Sequence, residues 1–133
     1  MNSSFYTRLL GIASFLGALG VIFGAFGAHF LKSRLAASDL DTIHTGDLYL
    51  FIHVTTILFV VLLGRNDTNS RILRSSGIFF ISGIILFSGS LFSIATQGLT
   101  GLNGSYIGVL TPIGGLCFIT GWITLFIYAF SKR

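Results

Sequence analysis

The sequence predicts an all-α fold: a single integral membrane domain, built as a four-helix bundle with both termini in the cytoplasm. Three observations carry that expectation. Of the 133 residues, 53% are hydrophobic and 9% charged, whereas a soluble domain carries about a quarter charged residues. With a mean hydropathy of +0.88, such a chain cannot clothe a water-facing surface. The charges are also gathered into clusters, which leaves long intervals with none. Finally, a hydrocarbon core of about 30 Å takes about 20 apolar residues as helix, and the intervals are of that order.

The spans are expected at about 9–31, 48–64, 75–97 and 106–130. The first follows Arg8 and ends in "GAFGAHFLK". A cleaved signal peptide is its rival, since a basic residue precedes an apolar run ending in small residues. The run is longer than a signal core, so it is read as a span. The loop "KSRLAASDLDTIHTGD" is expected to hold one short surface helix, capped by Ser38 or Asp39. The second span is the shortest, so it must thin the bilayer locally or draw Asp47 or Arg65 into the headgroups. "RNDTNSR" is a polar turn. The third loop, "GLTGLNGS", is glycine-rich and uncharged.

Orientation is read from basic residues in short loops. Arg8, Arg65, Arg71, Arg74, Lys132 and Arg133 share one side, while Lys32 and Arg34 opposite are diluted by Asp39, Asp41 and Asp47. The richer side is expected to be cytoplasmic, in a bacterial inner membrane. The net charge of +4 is largely this loop bias plus attraction to anionic lipid, so no nucleic acid is implied. Cys117 stands alone inside the fourth span and reads as inert packing.

Small residues form the next layer. Gly17, Gly20, Gly24 and Gly27 recur at three and four residues, which sets them on one stripe of the first helix. Ala18, Ala25 and His29 lie roughly opposite. Within a bilayer, helices associate through close van der Waals approach over small residues. Two small faces therefore predict neighbours on both sides: a central strut, or a helix that also serves an oligomer. Gly89 in the third span and Gly114 and Gly115 in the fourth are read as further packing positions.

Polar groups gather at the outer-leaflet level of every span: His29, then Tyr49, His53 and Thr56 on one face of the second helix, Ser93, Thr96 and Gln97, and Thr111 and Pro112. Ionisable groups at membrane depth tend to face a protein interior or a watery cavity. Pro112 also frees a carbonyl one turn earlier. The cluster has two readings. Either it stitches helices together by mutual hydrogen bonds, or it lines a site for a small ligand, a lipid headgroup or a proton. His29 and His53 lack further ligands to complete a metal or haem shell, so no metal or cofactor is expected. Enzyme chemistry is not expected either. The chain has no glutamate, and its four aspartates fall in or beside loops, so neither a carboxylate pair nor a nucleophile with its base and orienting acid can be assembled.

Four motifs occur in series: "GAFGAH" in the first span, "TGDLYLFIH" entering the second, "LFSGSL" in the third and "LTPIGG…GW" in the fourth. In this order the chain resembles the small membrane family catalogued as domain of unknown function four-two-three, whose members include bacterial inner-membrane proteins and the eukaryotic transmembrane protein two-five-six. The resemblance implies a four-helix integral membrane protein and brings no activity, substrate or cofactor. Its members often follow both histidines with small residues, where this chain has Phe30 and Leu31 after His29, and Val54, Thr55 and Thr56 after His53. The sequence thus leads to a structural or accessory membrane component, as a homo-oligomer or within a larger complex, with membrane lipids as its surroundings. A binding or transport protein using the histidine pocket is the alternative.

Overall fold

The computed structural model describes residues 3–101 and 106–131, and among them there is no strand. Helix α1 runs Ser3–Phe26 and continues into a π-helical turn, Gly27–Leu31. Helix α2 is Ala37–Asn66. The third span is compound: α3, Arg71–Gly83, passes through a second π-helical turn, Ile84–Ser88, into α4, Gly89–Ala95. A single turn, α5, Gln97–Thr100, leads towards α6, Ile107–Ser131. Four stretches are long and apolar enough to cross a membrane: Ser4–Leu31, Ala37–Asn66, Arg71–Ala95 and Ile107–Ser131. Four antiparallel spans leave both ends of the described chain on one face.

The expected surface helix between Lys32 and Asp47 is instead the start of α2. Its N-cap is Ala36, with no side-chain cap, and Asp39 sits in the first turn, where a carboxylate complements the positive end of the helix dipole. At 1.5 Å per residue the 30-residue helix is about 45 Å long. No thinning of the bilayer is needed, because the helix is longer than the about 20 residues that a hydrocarbon core takes. Ser70 does cap α3, its Oγ accepting from the Leu73 N–H at 3.2 Å.

Packing follows the small residues. The stripe on α1 faces α2: a methyl group added at Gly20 would lie 2.7 Å from Leu50, at Gly27 3.4 Å from Ile43, and at Gly17 3.6 Å from Val54. Gly64 of α2 opens the same seam lower down, where the Tyr6 ring fills the space a side chain would take. Helix α3 lies along α6, and α2 lies against the whole third span. The centre is sealed by Ile57, Val60, Leu73, Phe80 and Ile84, all 2% exposed or less. Gly114 lets α6 approach the Phe87 backbone directly, while nothing stands within 4 Å of a methyl placed on Gly89, and Gly115 only reaches Phe87 at 4.0 Å. Of the packing glycines expected beyond α1, Gly114 therefore sits at a tight contact, Gly115 at a loose one and Gly89 at none.

Helix α1 is not a central strut. It packs along α2 alone and reaches the third span only through long side chains, with Leu9 over Gly77 and Phe23 stacked on Phe92 at 4.7 Å. Helices α1 and α6 are the outer members, and α2 and the third span the inner ones.

Candidate functional site

The polar residues expected at one level separate into three places. His53 is at the heart of the protein, 3% exposed near the middle of α2. Its ring lies flat on Phe118, centroids 3.5 Å apart and planes 8° apart, with Phe80 and Trp122 around it. Nδ1 stands 2.7 Å from the Tyr49 carbonyl, and the Trp122 indole N–H donates to Nε2 across 3.2 Å. A carbonyl only accepts and an indole only donates. Both contacts are therefore met by one species, neutral imidazole with its proton on Nδ1. The Tyr49 ring continues the stack, 4.6 Å from Phe87.

The structure does not bring His29 to His53. In the π-helical turn the inward positions go to the buried Gly27 and Leu31, so His29, two residues from each, is turned outward and exposed. Along the helix it is equally remote. The α1 residue facing Val54, the neighbour of His53, is Gly17, twelve residues from His29 and about 18 Å along the axis.

The third place joins the third span to its neighbours. Ser90 Oγ is 2.7 Å from Thr111 Oγ1. Ser90 gives its proton to the Phe87 carbonyl at 2.8 Å, so Thr111 donates between the helices. Ser88, in the π-helical turn, donates to the Gly46 carbonyl of α2 at 2.7 Å. Thr56, Ser93 and Thr96 each bond back to a carbonyl four residues earlier. Gln97 and Pro112 are exposed, and α6 runs through Pro112 without a break. Thr96 also edges a wholly apolar outer groove of about 320 Å³ between Phe23, Phe26, Ile43 and Phe92.

Sequence reasoning missed the partners of His53: Phe118 and Trp122 sit four apart on one face of α6, and Trp122 is the only tryptophan. It also missed Asp47, whose carboxylate lies against α1 where a methyl on Gly24 would come 3.0 Å from Oδ2. Asp47 Oδ1 is buried without a hydrogen-bond partner among the described residues. No three histidine, cysteine or acidic residues among the described residues converge on a common point.

Four membrane-long helices stitched by isolated polar bonds define a small integral membrane protein, and comparison with known proteins supplies the family. Residues 23–115 match the family described as "Protein of unknown function (DUF423)". The chain is 33% identical to the UPF0382 membrane protein YwdK of Bacillus subtilis, over 91% of its own length and 93% of the relative's. It is 35% identical to a UPF0382 membrane protein of Haemophilus influenzae, over 95% and 96%, and 32% identical to the UPF0382 inner membrane protein YgdD of Escherichia coli, over 94% and 91%. No solved structure matches. The chain belongs to this family of membrane proteins, and its place is the inner membrane.

Proposed function

We propose that the protein is a non-enzymatic structural or accessory component of the inner membrane, which associates with a second copy or a larger complex through the open side of α1. The observation that carries this reading is a row of exposed small residues, Gly11, Ser14, Ala18 and Ala25, turned well away from the glycine stripe that α2 covers. Apolarity alone brings no helices together in lipid, whereas close backbone approach over small residues does. The other outer helix offers the contrast. Between Val109 and Ile127 of α6 the exposed residues are bulky, among them Leu116, Ile119, Ile123 and Phe126, which is a surface for acyl chains. The non-enzymatic part is supported by the polar groups themselves, since His53, Ser88, Ser90 and Thr111 are engaged in bonds between helices.

Disulfide trapping in native membranes tests it. In a Cys117→Ser background, the Ala18→Cys variant is expected to give a covalent dimer or a heavier adduct on oxidation, and the Ile119→Cys variant to stay monomeric. Ala18→Leu is expected to weaken association about tenfold, about 1.4 kcal/mol, with thermal stability unchanged because Ala18 is exposed. A chain that is monomeric and partnerless in membranes and by native mass measurement overturns the reading.

A further inference from the structure

A groove lies away from the histidines, at the end of the bundle that holds both ends of the described chain. It has a volume of about 570 Å³ and lies between α1 and α2. Its volume is within the range of about 300–1,000 Å³ typical of ligand sites. The lining is sorted by depth. Leu10, Leu58, Val61 and Leu62 form an apolar slot, and Arg65 and Thr68 stand at the mouth. From Arg65, next to last in α2, the slot runs to Leu58, about 10 Å towards the bilayer centre.

We infer that this groove is a binding site for one anionic phospholipid, with the phosphate on Arg65 and an acyl chain in the slot. Charge and depth commit the site to that occupant. The mouth carries a guanidinium, exposed at the membrane boundary, and no acidic residue is among those lining the groove. Arginine offers a planar fork of donors matched to phosphate oxygens, and Thr68 adds a hydroxyl beside it. A free phosphate would use the mouth and leave the slot empty. A zwitterionic lipid would fill the slot but bring a second cation up to Arg65. The slot owes its form to Gly64: the Tyr6 ring packs on the bare α2 backbone there and makes the floor.

Native mass spectrometry of the full-length protein, released from nanodiscs of phosphatidylglycerol or of phosphatidylcholine, tests this. The expected result is a phosphatidylglycerol adduct retained at one per chain, with phosphatidylcholine lost at the same activation energy. Arg65→Gln is expected to lower retention about tenfold, and Leu62→Trp, which fills the slot, to abolish it. Arg71→Gln, exposed at the same end but outside the groove, is expected to leave retention unchanged. Circular dichroism identifies any variant that has failed to fold, and Arg65→Gln on the exposed rim keeps the test open should Leu62→Trp do so. Equal retention of both lipids, equal effects of Arg65→Gln and Arg71→Gln, displacement by inorganic phosphate, or a dimer that carries no lipid would each overturn the proposal.

Discussion

At the scale of single residues, the protein treats its two membrane-level histidines in opposite ways. His53 has both ring nitrogens engaged and a face covered by Phe118, so removing it costs packing and a hydrogen bond together. His53→Ala is expected to destabilise by about 2–4 kcal/mol. Trp122→Phe keeps most of the packing and removes only the indole donor, so about 1 kcal/mol is expected, the upper part of the range measured for hydrogen bonds inside membranes. His29→Ala at an exposed position is expected to fall within about 0.5 kcal/mol of the parent. Unfolding in detergent micelles by urea or heat ranks the three. A His29→Ala loss as large as that of His53→Ala would contradict the separation of the two rings. That His53 is polar at membrane depth was legible in the sequence. Its partners were not, because phenylalanine and tryptophan in an apolar span look alike whether they face lipid or imidazole.

At the scale of elements, glycine has two meanings that spacing alone does not separate. Gly114 lies where α6 meets the Phe87 backbone, which cannot move aside as a side chain can. Gly89 sits at the start of α4 with open space where its side chain would be. Gly114→Ala is therefore expected to cost about 1–3 kcal/mol through overpacking. Gly89→Ala is expected to be neutral or to stabilise by up to about 1 kcal/mol, since alanine loses less backbone entropy in a helix. Thermal unfolding of the two variants side by side decides it, and equal destabilisation would refute the contrast. The period of three and four on α1 was legible as a packing stripe because four glycines align there. In the third and fourth spans single glycines carry no such phase, and the π-helical turn Ile84–Ser88 shifts the register that spacing assumes. The long α2 was hidden for a different reason. Charges at Asp39, Asp41 and Asp47 read as loop, yet a helix that outruns the bilayer carries them comfortably.

At the scale of the whole molecule, four spans were legible because lipid demands uninterrupted apolar helix and charges mark where it stops. The neighbour order was not, since a side chain facing lipid and one facing another helix are both apolar; hence α1 reads equally as a central strut or as a helix that also serves an oligomer, and it stands at the edge. Orientation follows from a separate term, the loop charges. Arg65, Arg71 and Arg74 crowd one short connection with Arg8 at the same end, whereas Lys32 and Arg34 opposite are followed by three aspartates in the first part of α2; Lys132 and Arg133, expected with the first group, lie outside the described residues. Retention of basic loops in the cytoplasm is the ground on which we propose that both termini lie inside. A fluorescent protein fused after Arg133 is expected to fluoresce, and alkaline phosphatase inserted at Gly101 to be active. Replacing Arg65, Arg71 and Arg74 together by glutamine removes the inner bias and leaves Lys32 and Arg34 as competitors. That variant is expected to show a mixed population, with fluorescence falling as a phosphatase fused after Arg133 gains activity. A dark carboxyl-terminal fusion on the parent chain, with phosphatase active at the same point, would invert the topology. It would also carry the Arg65 groove to the outer leaflet, so the leaflet whose phospholipid fills that groove is fixed by the same measurement.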